Sequence, residues 1–175
     1  MTTRIICAGH GGQGVLTLGN VIADIGMRKG NHVTWMPSYG PEMRGGTSNC
    51  SVIISDKMIG SPMVQNKIDV LVAMNQPSVD KFLPLVKPGG LALINTSIAD
   101  EAVRSDDVKI IKIDATNIAI KAGNARIANM VMLSGFLKET DLFTMEDVIE
   151  VLESRFATRN PQLIPLNIEA IKMGM

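Results

Sequence analysis

Arg4-Ile5-Ile6-Cys7-Ala8-Gly9-His10-Gly11-Gly12-Gln13-Gly14-Val15 is the stretch whose reading decides the fold. Arg4 to Ala8 is short, apolar and rich in β-formers, as a buried strand is, and the glycines that follow end it. From Val15 to Lys29 the pattern turns helical, with Val15, Leu18, Val21, Ile22 and Ile25 on one face. Lys29-Gly30-Asn31 supplies a cation and a C′ glycine at the helix end. His32 to Met36 then reads as a second strand, cut off by Pro37. Strand, glycine turn, helix, strand is a βαβ opening.

Further along, Thr47 to Ser55 alternates as a strand, and Asp56-Lys57 reads as a turn into a short strand Met58 to Gly60. That pair predicts an antiparallel hairpin. Asp69 to Met74 is a nearly continuous apolar run, as central strands are. Gln76 to Leu83 suits a short helix, Lys87-Pro88-Gly89-Gly90 a turn, and Leu91 to Asn95 and Val108 to Ile113 two more strands. Asn117 to Ala122, Ala125 to Lys138, Met145 to Ser154 and Leu163 to Met173 read as helices. Thr144 and Asp147 predict a capping box at the third of these. Ala125 to Leu137 is apolar nearly all round, which predicts burial on more than one side, under the sheet or against another subunit. With no repeat or linker, residues 1–175 are expected to form one three-layer α/β/α Rossmann-like domain with a mostly parallel sheet and one antiparallel hairpin.

Composition narrows the function. Lys plus Arg and Asp plus Glu each number 17, so the net charge is zero, and there is one Trp and one Tyr. Neither the basic field nor the stacking groups of a nucleic-acid binder are present. No run approaches the ~20 apolar residues of a membrane helix, and the apolar stretch before His10 is too short for a signal peptide. The expected location is the cytoplasm, with Cys7 and Cys50 reduced. Two cysteines without a C-x-x-C spacing cannot hold an iron–sulfur cluster, and His10 and His32 are the only histidines available to complete a zinc site. Metal is therefore not expected on this chain.

Gly9, Gly11 and Gly14 fit G-x-G-x-x-G, placed between strand and helix where the dinucleotide fingerprint belongs. The fingerprint also wants a carboxylate at the end of the second strand, and Trp35-Met36-Pro37-Ser38 has none. Three readings stay open: a nucleotide site, a structural turn, and a contact with a phosphate or a partner chain. The next segment, Pro37 to Gly46, is expected to be a loop that holds a defined shape, carrying Ser38, Tyr39, Glu42, Arg44, Gly45 and Gly46. Arg44 on a glycine-flanked loop can clamp a carboxylate or phosphate, or pair with Glu42 or a neighbouring chain. His10 reads as positional or solvent-facing. No residues form a recognisable catalytic set.

Gly9-His10-Gly11-Gly12-Gln13-Gly14, then Pro37-Ser38-Tyr39-Gly40-Pro41-Glu42-Met43-Arg44-Gly45-Gly46-Thr47, Cys50 to Asp56, Asp114-Ala115-Thr116 and Gly123 to Leu133 together resemble the gamma subunit of 2-oxoacid:ferredoxin oxidoreductases. The resemblance runs in order over essentially the whole chain. The loop form resembles the 2-oxoglutarate and 2-oxoisovalerate branch, with 2-oxoglutarate slightly ahead. It implies a reaction in which a 2-oxoacid, coenzyme A and oxidised ferredoxin give acyl-CoA, carbon dioxide and reduced ferredoxin. Thiamine diphosphate, Mg and iron–sulfur clusters are then implied on alpha, beta and ferredoxin-like delta subunits, with none on this chain. Gly11, Gly12, Gln13 and Gly14 and the loop Ser38 to Gly46 would face those subunits or the coenzyme A path, with Tyr39, Glu42 and Arg44 as positioning groups. The rival expectations are a free-standing nucleotide-binding protein and a purely structural subunit.

Overall fold

The computed structural model describes residues 1–38, 47–64, 66–158 and 160–175. β1 (Thr2–His10) leads through the glycine turn into α1 (Val15–Arg28) and β2 (His32–Pro37). Gly30, at φ 78°, closes α1: its N–H donates to the Met27 carbonyl and that of Asn31 to the Gly26 carbonyl. β3 (Thr47–Ser55), β4 (Ile68–Ala73), α2 (Gln76–Phe82), β5 (Val86–Asn95) and β6 (Lys109–Ile113) follow. The chain ends in α3 (Ala115–Lys121), α4 (Ala128–Thr140), α5 (Met145–Phe156) and α6 (Leu163–Gly174).

The strands form one six-stranded sheet in the order β2-β3-β1-β4-β5-β6. β1, β4, β5 and β6 pair in parallel, while β3 runs antiparallel to both its neighbours. The hairpin expected between Thr47–Ser55 and Met58–Gly60 does not form, because β3 has no free edge to offer. β1 pairs with it from Thr2↔Ser55 to His10↔Thr47, and β2 occupies the other edge from His32↔Ser55 to Pro37↔Cys50. The antiparallel hairpin is instead β2 with β3. The chain after Ser55 passes over the sheet face, where the Ser51 hydroxyl donates to the Pro62 carbonyl at 3.4 Å.

Two further boundaries differ from expectation. Lys87–Gly90 does not stop β5, which absorbs it as a bulge: the register jumps from Ile68↔Val86 to Val70↔Leu91. Gly89 sits there at φ 73° and donates to the Asp107 carbonyl at 2.7 Å. The helix expected from Ala125 starts as a 3-10 turn, Ala125–Ile127, because the Asn124 side chain accepts from the Arg126 N–H and sets a tighter first turn.

The layers are unequal. Ile5, Cys7, Val52, Val72 and Leu93 point to one face and join α1, α3, α4, α5 and α6 in the larger core. Ile6, Ala8, Leu71, Ala73, Ala92 and Ile94 point to the other, where α2 supplies Val79 and Phe82. β1, β4, β5 and β6 feed both cores because their side chains alternate, whereas β2 and β3 contribute only to the larger one. Every residue of α4 from Ala128 to Leu137 is buried, as its apolar circumference predicts.

Candidate functional site

The chain leaves β1 through α1 toward β2 on one side, and leaves β4 through α2 toward β5 on the other. The gap between β1 and β4 is therefore the topological switch point, where open α/β sheets take ligands at the carboxyl ends of their strands. The glycine turn lies at this edge. Gly12 (φ 92°) and Gly14 (φ 72°) occupy the left-handed region, and Gly12 is exposed with open space where a side chain would go. A Cβ on Gly9 would meet Val15, Met74 and Gln13 within 3 Å, so glycine there lets the turn close onto β4. Gly14 precedes α1, whose first turn holds no acidic residue.

Both ends of the 38–46 loop reach the same edge. Thr47 pairs with His10, and the Ser38 N–H donates to the Asn49 carbonyl at 2.8 Å. The structure thus brings Ser38 and Thr47 beside the turn, two sequence signals that are more than 20 residues apart. Tyr39, Glu42, Arg44, Gly45 and Gly46 lie outside the described residues. β2 ends at Pro37 with no carboxylate on Trp35, Met36, Pro37 or Ser38 to hold a ribose.

Behind the turn runs a hydrogen-bond chain whose members Asn75, Asn95 and Ser97 belong to no motif quoted above. Gln13 Oε1 accepts from the His10 N–H at 2.6 Å and from Asn75 Nδ2 at 3.1 Å. Because His10 N can only donate, the orientation of the Gln13 amide is fixed, and its Nε2 donates to the Met74 carbonyl at 3.3 Å. The same carbonyl accepts from Asn95 Nδ2 at 3.4 Å, which also donates to Thr116 Oγ1 at 3.0 Å. The Thr116 N–H donates to Ser97 Oγ at 3.0 Å, and the Ser97 hydroxyl donates to Asp114 Oδ1 at 2.6 Å. Asn75 and Asn95 are fully buried, and Asn75 also caps α2 by accepting from the Ser78 N–H. Gln13, read from sequence as a contact residue, is thus first a brace between β1 and β4. His10 is half-buried, and its Nδ1 has no hydrogen-bond partner among the described residues.

A groove of ≈ 530 Å³ opens beside the first turn of α1, lined by Leu16, Thr17, Asn20, Trp35, Arg155, Phe156 and Asn160. Arg155 and Asn160 were invisible as site residues because the fold, not a motif, carries them there. Beneath, Cys7 and Cys50 face each other across β1 and β3, both wholly buried. The facing Cys50 thiol, with burial, pushes Cys7 well above the usual thiol range, and the facing Cys7 thiol holds Cys50 below it. Two thiols opposed in a core do not fit a cluster that needs four thiolates. Among the described residues no group of three or more His, Cys, Asp or Glu is placed to hold a metal ion, and no helix is long and apolar enough to cross a membrane.

The fold is a doubly wound α/β domain whose topological switch point lies between β1 and β4. The chain belongs to the pyruvate ferredoxin/flavodoxin oxidoreductase family, whose model matches residues 4–175. It is 46% identical over 173 residues to ketoisovalerate oxidoreductase subunit VorA of Methanothermobacter marburgensis, covering 98% of this chain and 35% of that protein. The chain thus spans about a third of the length of that relative. It is 33% identical over 157 residues to 2-oxoglutarate synthase subunit KorC of Methanothermobacter thermautotrophicus, covering 86% of this chain and 82% of that one. Among solved structures, the gamma subunit of keto/oxoacid ferredoxin oxidoreductase from Geobacter sulfurreducens superposes with a TM-score of 0.83 at 28% identity, covering 98% and 95% of the two chains.

Proposed function

We propose that this chain is the gamma subunit of a multi-subunit cytoplasmic 2-oxoacid:ferredoxin oxidoreductase acting on 2-oxoisovalerate. The observation that carries the reading is the meeting, at one sheet edge, of the glycine turn and both anchors of the 38–46 loop in a chain of this family. Identity of 46% with a ketoisovalerate oxidoreductase subunit, against 33% with a 2-oxoglutarate synthase subunit, favours the branched acid. This reverses the slight preference for 2-oxoglutarate drawn from the loop. The same domain forms part of a longer polypeptide in the first of these relatives, which supports a permanent neighbour for it here.

In this reading alpha and beta subunits carry thiamine diphosphate with Mg, and beta and delta chains carry the clusters that reduce ferredoxin. The edge formed by Gly11, Gly12, Gly14 and Ser38 lies along the coenzyme A path, and Tyr39, Glu42 and Arg44 position the coenzyme or a partner chain. No residue of this chain transfers a proton. The test is the anaerobically purified complex, assayed for coenzyme A-dependent viologen reduction with a panel of 2-oxoacids. A kcat/KM highest for 2-oxoisovalerate is expected; a higher value for 2-oxoglutarate returns the chain to that branch. Activity with neither acid refutes the substrate assignment.

A further inference from the structure

At the switch point itself lies a second, smaller cavity of ≈ 160 Å³, walled by Met74, Ile98, Ala125 and Ala128 and opening beside Gly12. At ~30 Å³ per water it holds about five waters, the size of a short organic acid. Three polar side chains reach it: Gln13, Thr116 and Arg126.

Each of the three has a donor to spare. The Asn95 carboxamide oxygen accepts from the backbone N–H groups of Ser97 and Thr116, at 3.3 and 3.4 Å, which fixes its NH₂ toward Thr116 Oγ1. Thr116 Oγ1 is therefore an acceptor in that bond, and its own proton has no acceptor among the described residues. Gln13 uses its oxygen twice and one N–H once, leaving one N–H over. Arg126 is exposed, and no acid among the described residues lies within ion-pair distance of it. Asp114, the nearby acid in this hydrogen-bond chain, is exposed and accepts from Ser97 Oγ and Asn117 Nδ2 at 2.6 and 2.8 Å, both through Oδ1, and is not among the residues lining the cavity. The cavity is thus rich in donors, and among the described residues none of its lining side chains is a carboxylate.

We propose that this cavity binds the carboxylate of a short aliphatic acid, gripped by Arg126 and Thr116. A planar guanidinium matches a carboxylate with two parallel bonds, and the Thr116 hydroxyl adds a third. The aliphatic part packs on Met74, Ile98 and Ala128. A phosphate has no apolar part to set against these walls.

The test is a titration of the full chain, followed by its amide NMR resonances at physiological salt, with isobutyrate, its neutral amide isobutyramide, and inorganic phosphate. Isobutyrate is expected to shift the Gly12, Thr116 and Arg126 amides saturably, with isobutyramide about tenfold weaker or worse. Arg126→Gln is expected to weaken isobutyrate binding by a similar factor without changing Tm, since the side chain is exposed, and Thr116→Val to weaken it less. No saturable shift, an equal response to the amide, or undiminished binding by Arg126→Gln overturns the site. Binding of phosphate in place of isobutyrate overturns the carboxylate assignment. The titration needs no partner chain, so its failure is separate from failure of the subunit reading.

Discussion

Gly19 of α1 rests directly on the thiol of Cys50: a Cβ added at Gly19 would overlap Sγ, with the Trp35 indole and Val52 closing in behind. This approach seats α1 on the sheet, and Cys50 Sγ also contacts the Val15 carbonyl at 3.5 Å. The expected consequence is that Gly19→Ala destabilises the chain by roughly 1–3 kcal/mol through overpacking. That cost outweighs the ~1 kcal/mol that alanine gains in a helix interior. Adding Cys50→Ala should restore most of the loss, and a urea-unfolding double-mutant cycle measures the coupling. Independent, additive effects would contradict the contact.

Gly12 and Gly14 both sit at positive φ but differ in surroundings. A Cβ on Gly12 meets nothing within 4 Å, whereas one on Gly14 lies 2.6 Å from the Asn129 amide nitrogen, which donates to the Gly14 carbonyl. Gly12→Ala should cost only the left-handed backbone term, about 1–2 kcal/mol. Gly14→Ala should cost clearly more and disturb the start of α1. Equal costs in parallel denaturation curves would show that the Asn129 contact is not maintained.

Asp147 gives a pH signature. It accepts from the Thr144 N–H at 2.8 Å while its own N–H donates to Thr144 Oγ1, and Lys29 Nζ lies 3.1 Å away. The Thr144 bond first, then Lys29, holds its carboxyl below the usual range. A depressed pKa contributes stability above the unfolded value, near pH 4, that is lost as pH falls through the folded pKa. The stability gap between wild type and Asp147→Asn should therefore narrow below about pH 4. Thr144→Ala should cost about 1 kcal/mol at pH 7. A gap unchanged from pH 7 to pH 2 would contradict the assignment.

Arg44 separates a coenzyme-handling subunit from a scaffold. In the assembled enzyme, Arg44→Ala is expected to raise the KM for coenzyme A or the 2-oxoacid several-fold while the complex stays intact. Dissociation of the complex with both KM values unchanged in the remaining assembled fraction would favour the scaffold. Unchanged assembly and unchanged KM values would remove Arg44 from the site.

Much of the fold was legible because its signals are local. The 3.6-residue period of Val15 to Ile25, the alternation bounding Thr47–Ser55 and the Thr144/Asp147 box each act within one element. Strand partners were not, since alternation says which residues share a face and nothing about what lies alongside. Hence the misplaced hairpin and the unforeseen insertion of β3 between β2 and β1. The Lys87–Gly90 turn was real as chemistry but was absorbed by a bulge. At the site, the glycine turn could be read from its residues, and its neighbourhood to the loop ends followed only from the register His10↔Thr47. Asn75 and Asn95 act through buried amide geometry, which leaves no spacing pattern in the chain. Cys7 and Cys50, distant in sequence, meet for the same reason.

Membership of a multi-subunit oxidoreductase is tested most directly by anaerobic affinity capture of the tagged chain from its native cells, with mass spectrometry of what co-purifies. Stoichiometric recovery of a thiamine-binding chain and a cluster-bearing chain is expected, with coenzyme A-dependent electron transfer from 2-oxoisovalerate in the eluate. Recovery of the chain alone, binding NAD or FAD and lacking that activity, would contradict it.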